Sequence, residues 1–137
     1  MTSAKKIKTR EQNWIPVYDP LLGRMILAAF GDGDKKEILV ATINEPKVIS
    51  EILDVCKIPQ SSGYRKINSL IHDGLLIPNG SAYSIDGKKV TKYLSTFENL
   101  RIEIIKHKII VQVKLNRLME EISYPKIIQN FLQIKAN

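Results

Sequence analysis

Cysteine is almost missing from this chain. Cys56 is the only one in 137 residues, which excludes an intrachain disulfide and fits a reducing, cytoplasmic setting. Long apolar runs are missing too. The stretches Met25 to Phe30 and Ile109 to Val113 are far too short to span a bilayer, so no membrane association is expected. The first residues, MTSAKKIKTREQNW, lack the apolar core of a secretory signal. No G-x-S-x-G, H-E-x-x-H, Walker loop or dinucleotide fingerprint occurs, so no enzyme, catalytic residue or cofactor is expected. His72 and His107 stand alone, as surface residues, with a pH sensor as the remote alternative. No second thiol or histidine lies at ligand spacing from Cys56, so no metal site is expected. Cys56 reads as a small core residue, with a redox switch the lesser alternative.

The chain does have enough apolar material, 44%, to bury a core, and its 26% of charged residues does not suggest disorder. Its net charge of +7 is unevenly distributed. Residues 31–56 carry three Lys/Arg against six Asp/Glu, whereas residues 57–92 carry six against two. The sign changes just before residue 60. An acidic support beside a basic surface suits a polyanionic partner, although an unevenly charged solvated surface would look the same.

Residues 1–13 are polar and basic without period, and read as a loose tail. Asp19-Pro20 signals a helix start, with a helix over Pro20–Phe30 that turns Leu22, Met25, Ile26 and Ala29 inward and ends at Gly31-Asp32-Gly33. Asp34, with Glu37 three residues on, predicts a capping box for a second helix that buries Ile38, Leu39, Ile43 and Ala41. Glu45-Pro46 breaks it. Val48, Ile49, Ile52, Leu53 and Cys56 then form one apolar stripe, a third helix from Lys47 to Val55.

Lys57-Ile58-Pro59 is a turn, with Ile58 plugging the space between helices. The fourth helix, Gln60–Asp73, has Ile67, Leu70 and Ile71 on one side, and Gly63 allows a neighbour to approach. Its other side carries Ser61, Ser62, Arg65, Asn68, Ser69 and His72, with no carboxylate before Asp73. Gly74 ends it. The pattern then becomes β. Asp86-Gly87 is a hairpin signal that would set Tyr83 opposite Val90, with Lys88 and Lys89 at the tip and Asn79-Gly80 a lesser alternative tip. Residues 88–97 fit a strand somewhat better than a helix.

Residues 98–115 read as a second hairpin turning at Lys106-His107. It pairs Ile104 with Ile109, Ile102 with Val111 and Leu100 with Val113, and so gathers all six on one face. Asn116–Ile134 returns to a helical pattern, broken near Tyr124-Pro125. Trp14 and Tyr18 are expected to pack on a helix or a partner subunit.

The order over residues 48–77 resembles the winged helix-turn-helix regulators of the ArsR/MarR type, particularly small archaeal ones. The resemblance rests on Ile49-Ser50-Glu51-Ile52, Ile58-Pro59-Gln60-Ser61-Ser62, Tyr64-Arg65-Lys66-Ile67, and Leu70 with Asp73-Gly74-Leu75-Leu76, matched without a gap over about thirty residues. Joined to the segments read above, it gives an α+β chain: a winged helix-turn-helix domain over 14–97 with an N-terminal helix, then the C-terminal β-hairpin and helical segment over 98–137 for dimerisation or packing. It also implies a homodimeric, sequence-specific transcription regulator that binds double-stranded DNA through Gln60, Ser61, Ser62, Tyr64, Arg65 and Lys66. The helical wheel adds Asn68 and sets Tyr64 at the boundary with the core, and the wing adds Lys88 and Lys89.

Two features depart from the family. The first helix of the motif lacks the cysteine or histidine pair of metal sensors, and Gly63 replaces a usual β-branched or apolar residue, at about 1 kcal/mol of helix propensity relative to Ala. The residues leave several alternatives open. Arg65 suits a guanine edge or a phosphate. Ser61 and Ser62 suit phosphate contact, N-capping or both. Lys88 and Lys89 suit phosphate or plain solvent. Two other classes compete for the whole chain: a winged helix serving protein contact in a larger assembly, and an RNA-binding winged helix, for which this face offers only one aromatic, Tyr64.

Overall fold

The computed structural model describes residues 14–119 together with Lys126 and Gln129. The proposed tail, 1–13, and the helical segment beyond Met119 with its break at Tyr124-Pro125 lie outside the described residues, apart from positions 126 and 129. The chain is α+β. Four helices, α1 (Pro20–Gly31), α2 (Gly33–Ala41), α3 (Ile49–Cys56) and α4 (Gln60–His72), accompany strands β1 (Ile15–Pro16), β2 (Lys47–Val48), β3 (Leu76–Tyr83), β4 (Lys89–Ser95), β5 (Phe97–Ile105) and β6 (Lys108–Leu115). The strands form two antiparallel three-stranded sheets, ordered β2-β4-β3 and β1-β6-β5. Among the described residues no helix is long and apolar enough to cross a membrane.

One apolar cluster joins helices and hairpin. Leu22 and Ile26 of α1, Ile38 of α2, Ile52 of α3, and Ile67 and Leu70 of α4 are buried together with Val111 and Val113 of β6. Asp19 caps α1, accepting from the Leu21 N–H at 2.9 Å, and Pro20 occupies the first turn as read from the sequence. The cap of α2 differs from that reading. Asp32, not Asp34, takes the role and accepts from the Lys35 N–H at 3.1 Å. The backbone between α1 and α2 is extended only at Asp32, and an N-cap needs that non-helical geometry. Asp34 therefore lies inside the first turn.

Lys47 and Val48 are strand rather than helix. They pair with Tyr93 and Lys92, because β4 offers them an edge. α3 thus starts at Ile49 and ends at Cys56, with Lys57 as its cap at a positive φ of 56°. α4 ends one residue earlier than expected, with Asp73 as its cap. Gly74, at φ 78°, lets Gly74 N–H reach Ile71 O and Leu75 N–H reach Leu70 O, a Schellman closure.

The first hairpin, β3–β4, differs by one residue from its expected register. Tyr83 faces Lys89, and Ala82 faces Val90. The loop is Ile85-Asp86-Gly87, with Gly87 at φ 82°, which is the three-residue turn with a left-handed third position. Lys88 flanks the loop and Lys89 is already strand. Asn79-Gly80 falls at a bulge between Pro78 and Ser81. Residues 89–95 are strand. The second hairpin has the register read from the sequence: Ile104 to Ile109, Ile102 to Val111 and Leu100 to Val113, around Lys106 and His107. Only the base of that face is covered, since Ile104 is 72% exposed.

Residues 116–119 form a turn, where the sequence pattern predicts the start of a helix. Asn116, 2% exposed, explains it. Its amide donates to Ile43 O at 2.8 Å and Ser95 O at 3.0 Å, while its side-chain oxygen accepts from Leu118 N–H. A local side-chain bond of this kind favours a turn over a helix. Beside it, Thr42 and Ser95 share a buried hydroxyl contact of 3.0 Å. Trp14 packs on the β5–β6 sheet rather than on a helix, with the Arg101 guanidinium 4.3 Å from its ring centre and Lys114 at 5.6 Å. Tyr18, at 73% exposed, is not buried against a helix.

Candidate nucleic-acid interface

The polar side of α4 is positioned by a close approach behind it. Gly63 is buried, and a Cβ built there would lie 3.2 Å from Leu53 Cδ1 and from Ile58 Cγ2, with Leu53 Cδ2 closer still. The bare glycine lets α4 sit directly on α3 and on the turn residue Ile58, itself buried. Its weak helix propensity therefore accompanies a packing role.

Opposite this contact, Gln60, Ser61, Arg65 and Asn68 are exposed, and Ser62 is half-buried. Pro59 gives α4 no side-chain cap, and the first intrahelical bond is Gly63 N–H to Pro59 O at 2.8 Å. Ser62 hydroxyl lies 3.5 Å from Pro59 O, too long for a strong bond, so it remains available for another acceptor. Tyr64 sits at the boundary as the wheel suggests, 44% exposed.

Lys66 does not belong with this group. Its ammonium lies 3.2 Å from Asp32 Oδ1 and 3.0 Å from Asp34 Oδ2, on the flank of α4 that meets α2. The Asp34 and Asp32 carboxylates raise the Lys66 pKa above the ordinary lysine value, so the charge stays on. The Asp32 carboxyl is held below its ordinary value first by the Lys35 backbone N–H and then by Lys66. Lys35 adds a second tie from α2 to α4, donating to Ser69 Oγ at 3.1 Å. Ser69 thus belongs to the flank as well. The acidity of residues 31–56 is in part an anchor for α4. Arg65 is left as the exposed cation of the outer face.

Across from α4, Lys88 follows the hairpin loop and Lys89 opens β4, both exposed. Asp86 is the middle residue of the loop itself. Its carboxyl is held down chiefly by the Ser84 hydroxyl, which donates at 2.6 Å. Between α4 and the hairpin runs an open groove of about 670 Å³, mainly apolar, lined by Ile49, Tyr64, Tyr83, Ile85 and Tyr93 among others. Sequence reasoning missed Tyr83, Ile85 and Tyr93 as neighbours of Tyr64. The pattern marked them as strand residues but did not say which element faced them, and Ile85 falls in the loop. No cluster of three or more metal-ligating side chains occurs among the described residues.

No family model, curated protein or solved structure matches this chain.

Proposed function

We propose that this protein is a sequence-specific, DNA-binding transcriptional regulator of the winged helix-turn-helix type, acting as a homodimer. In this reading α4 enters the major groove and the β3–β4 hairpin lies on the adjacent backbone. The observation that carries it is the exposed face of Gln60, Ser61, Arg65 and Asn68 on a helix braced from behind at Gly63 and from the side at Lys66. A reading helix must be rigid and must present short hydrogen-bonding groups with a guanidinium, because base edges and phosphates are recognised by such donors at close range. The element order also supports it: α2, β2, α3, α4 and a hairpin, with β2 on the hairpin's edge.

Gel-shift titration of the whole chain against genomic fragments, at two salt concentrations, tests the reading. The expected result is preference for particular fragments, lost in Arg65→Ala. Binding to all fragments alike with a steep salt slope would mean polyanion attraction alone. No binding to DNA at low salt would overturn the reading in favour of a protein-contact module.

A further inference from the structure

The strand β5 is an open edge. The order β1-β6-β5 leaves it unpaired on one side among the described residues. The two-residue turn at Lys106 and His107, both at positive φ, makes Ile105 and Lys108 exchange both of their backbone bonds. By alternation Arg101 and Glu103 also turn their backbone groups toward β6. Leu100, Ile102 and Ile104 therefore direct theirs away from the sheet. Such a row is a template for another strand.

We infer that this edge pairs with the same edge of a second copy, antiparallel, about a two-fold axis through Ile102. This deepens the dimeric part of the proposed function and is independent of DNA. Three observations choose the occupant and the register. First, the regular stretch of β5 runs from Asn99, after the register shift that follows Phe97, to Ile105 at the turn, and Ile102 is its midpoint. Second, centring on Ile102 sets Leu100 against the partner's Ile104 and Ile102 against its own copy. Ile102 and Ile104 are exposed in the single chain, at 40% and 72%. Third, the same register sets Arg101 against the partner's Glu103, twice by symmetry. Glu103 has no ion pair among the described residues. Shifting the axis to Leu100 or Ile104 keeps the backbone match but separates these charges and shortens the overlap. Opposite charges directly across an antiparallel pair are favourable, and like charges are not. The strand is thus complementary to itself in backbone, apolar side chains and charge, as a two-fold contact requires.

Sedimentation equilibrium on the full chain and on charge-reversed variants tests this, without DNA, so that failure here leaves the DNA reading standing. Wild type is expected at twice the 15.6 kDa chain mass. Arg101→Glu and Glu103→Arg, each folded by circular dichroism, are expected as monomers alone and as a heterodimer when mixed, since the mixture restores opposite charges at every pair. A monomeric wild type, dimeric single variants, or a mixture that stays monomeric would overturn the inference. Should either variant fail to fold, amide exchange on wild type decides. Slow exchange at Leu100, Ile102 and Ile104 that is lost on dilution supports the contact. Fast exchange there at all concentrations, or protection that persists in the monomer, overturns it.

Discussion

Lys66 donates to Asp34 across 3.0 Å, so a cation that sequence resemblance places on the reading surface instead ties α4 to α2. Substituting it separates bracing from contact. Lys66→Ala is expected to lower thermal stability while leaving the salt slope of DNA binding unchanged. Arg65→Ala is expected to do the reverse, leaving the melting temperature near wild type and removing fragment preference. Parallel melting curves and gel shifts at two salt concentrations check the pair.

Acid is expected to undo the same tie. Asp32 titrates below its ordinary value in the folded chain, so its charge stabilises the fold above the ordinary carboxylate range, and this contribution disappears as pH falls through the folded value. Asp32→Asn keeps a capping oxygen but removes the charge. Urea titrations should find this variant weaker than wild type at pH 7, with the gap closing in acid. A gap that widened in acid would contradict the assignment.

At Gly63 helix propensity and packing oppose each other. Alanine gains about 1 kcal/mol in an exposed helix interior. Overpacking a core typically costs about 1–3 kcal/mol, and Leu53, 4% exposed, has little room to move. Gly63→Ala is therefore expected to destabilise by about 1 kcal/mol in denaturant titration, against the sign that propensity alone implies.

Asn116→Ala removes the donors that satisfy Ile43 O and Ser95 O. Each carbonyl left buried without a partner costs about 1–3 kcal/mol. The midpoint of urea unfolding should fall by more than that of any single surface substitution on α4.

Burial raises the Cys56 thiol above its ordinary value, and the nearby Glu37 and Asp34 carboxylates push it the same way. The thiolate is the reactive form. Alkylation by iodoacetamide at pH 7 should be slow in the folded chain and rise sharply in denaturant. Rapid modification of the native protein would restore the redox-switch alternative.

The residues themselves show where the sequence was legible. Alternation in LRIEI and IIVQV, with only one register that gathers the apolar set, was enough to derive the second hairpin pair by pair. The α4 stripe and the role of Gly63 were equally readable, because helix geometry ties spacing to facing. The fate of Lys66 was not readable, since its partners are more than thirty residues away and local pattern carries no such distance. The α2 cap went to Asp32 because Asp32 and Asp34 both offer a capping carboxylate there, and only the turn geometry chooses between them. Asn116 looked like one polar residue at a helix start. Its role depends on two carbonyls from separate elements meeting at one point.

Thr96 is the sole residue between β4 and β5, and it is clamped on both sides of its peptide. Its N–H donates to Leu75 O at 3.0 Å and its hydroxyl to Gly74 O at 2.6 Å, just past the end of α4. A joint so short and so doubly fastened has no slack. The ribbon that follows is thereby moored to the tail of α4 by two hydrogen bonds, with no linker in between.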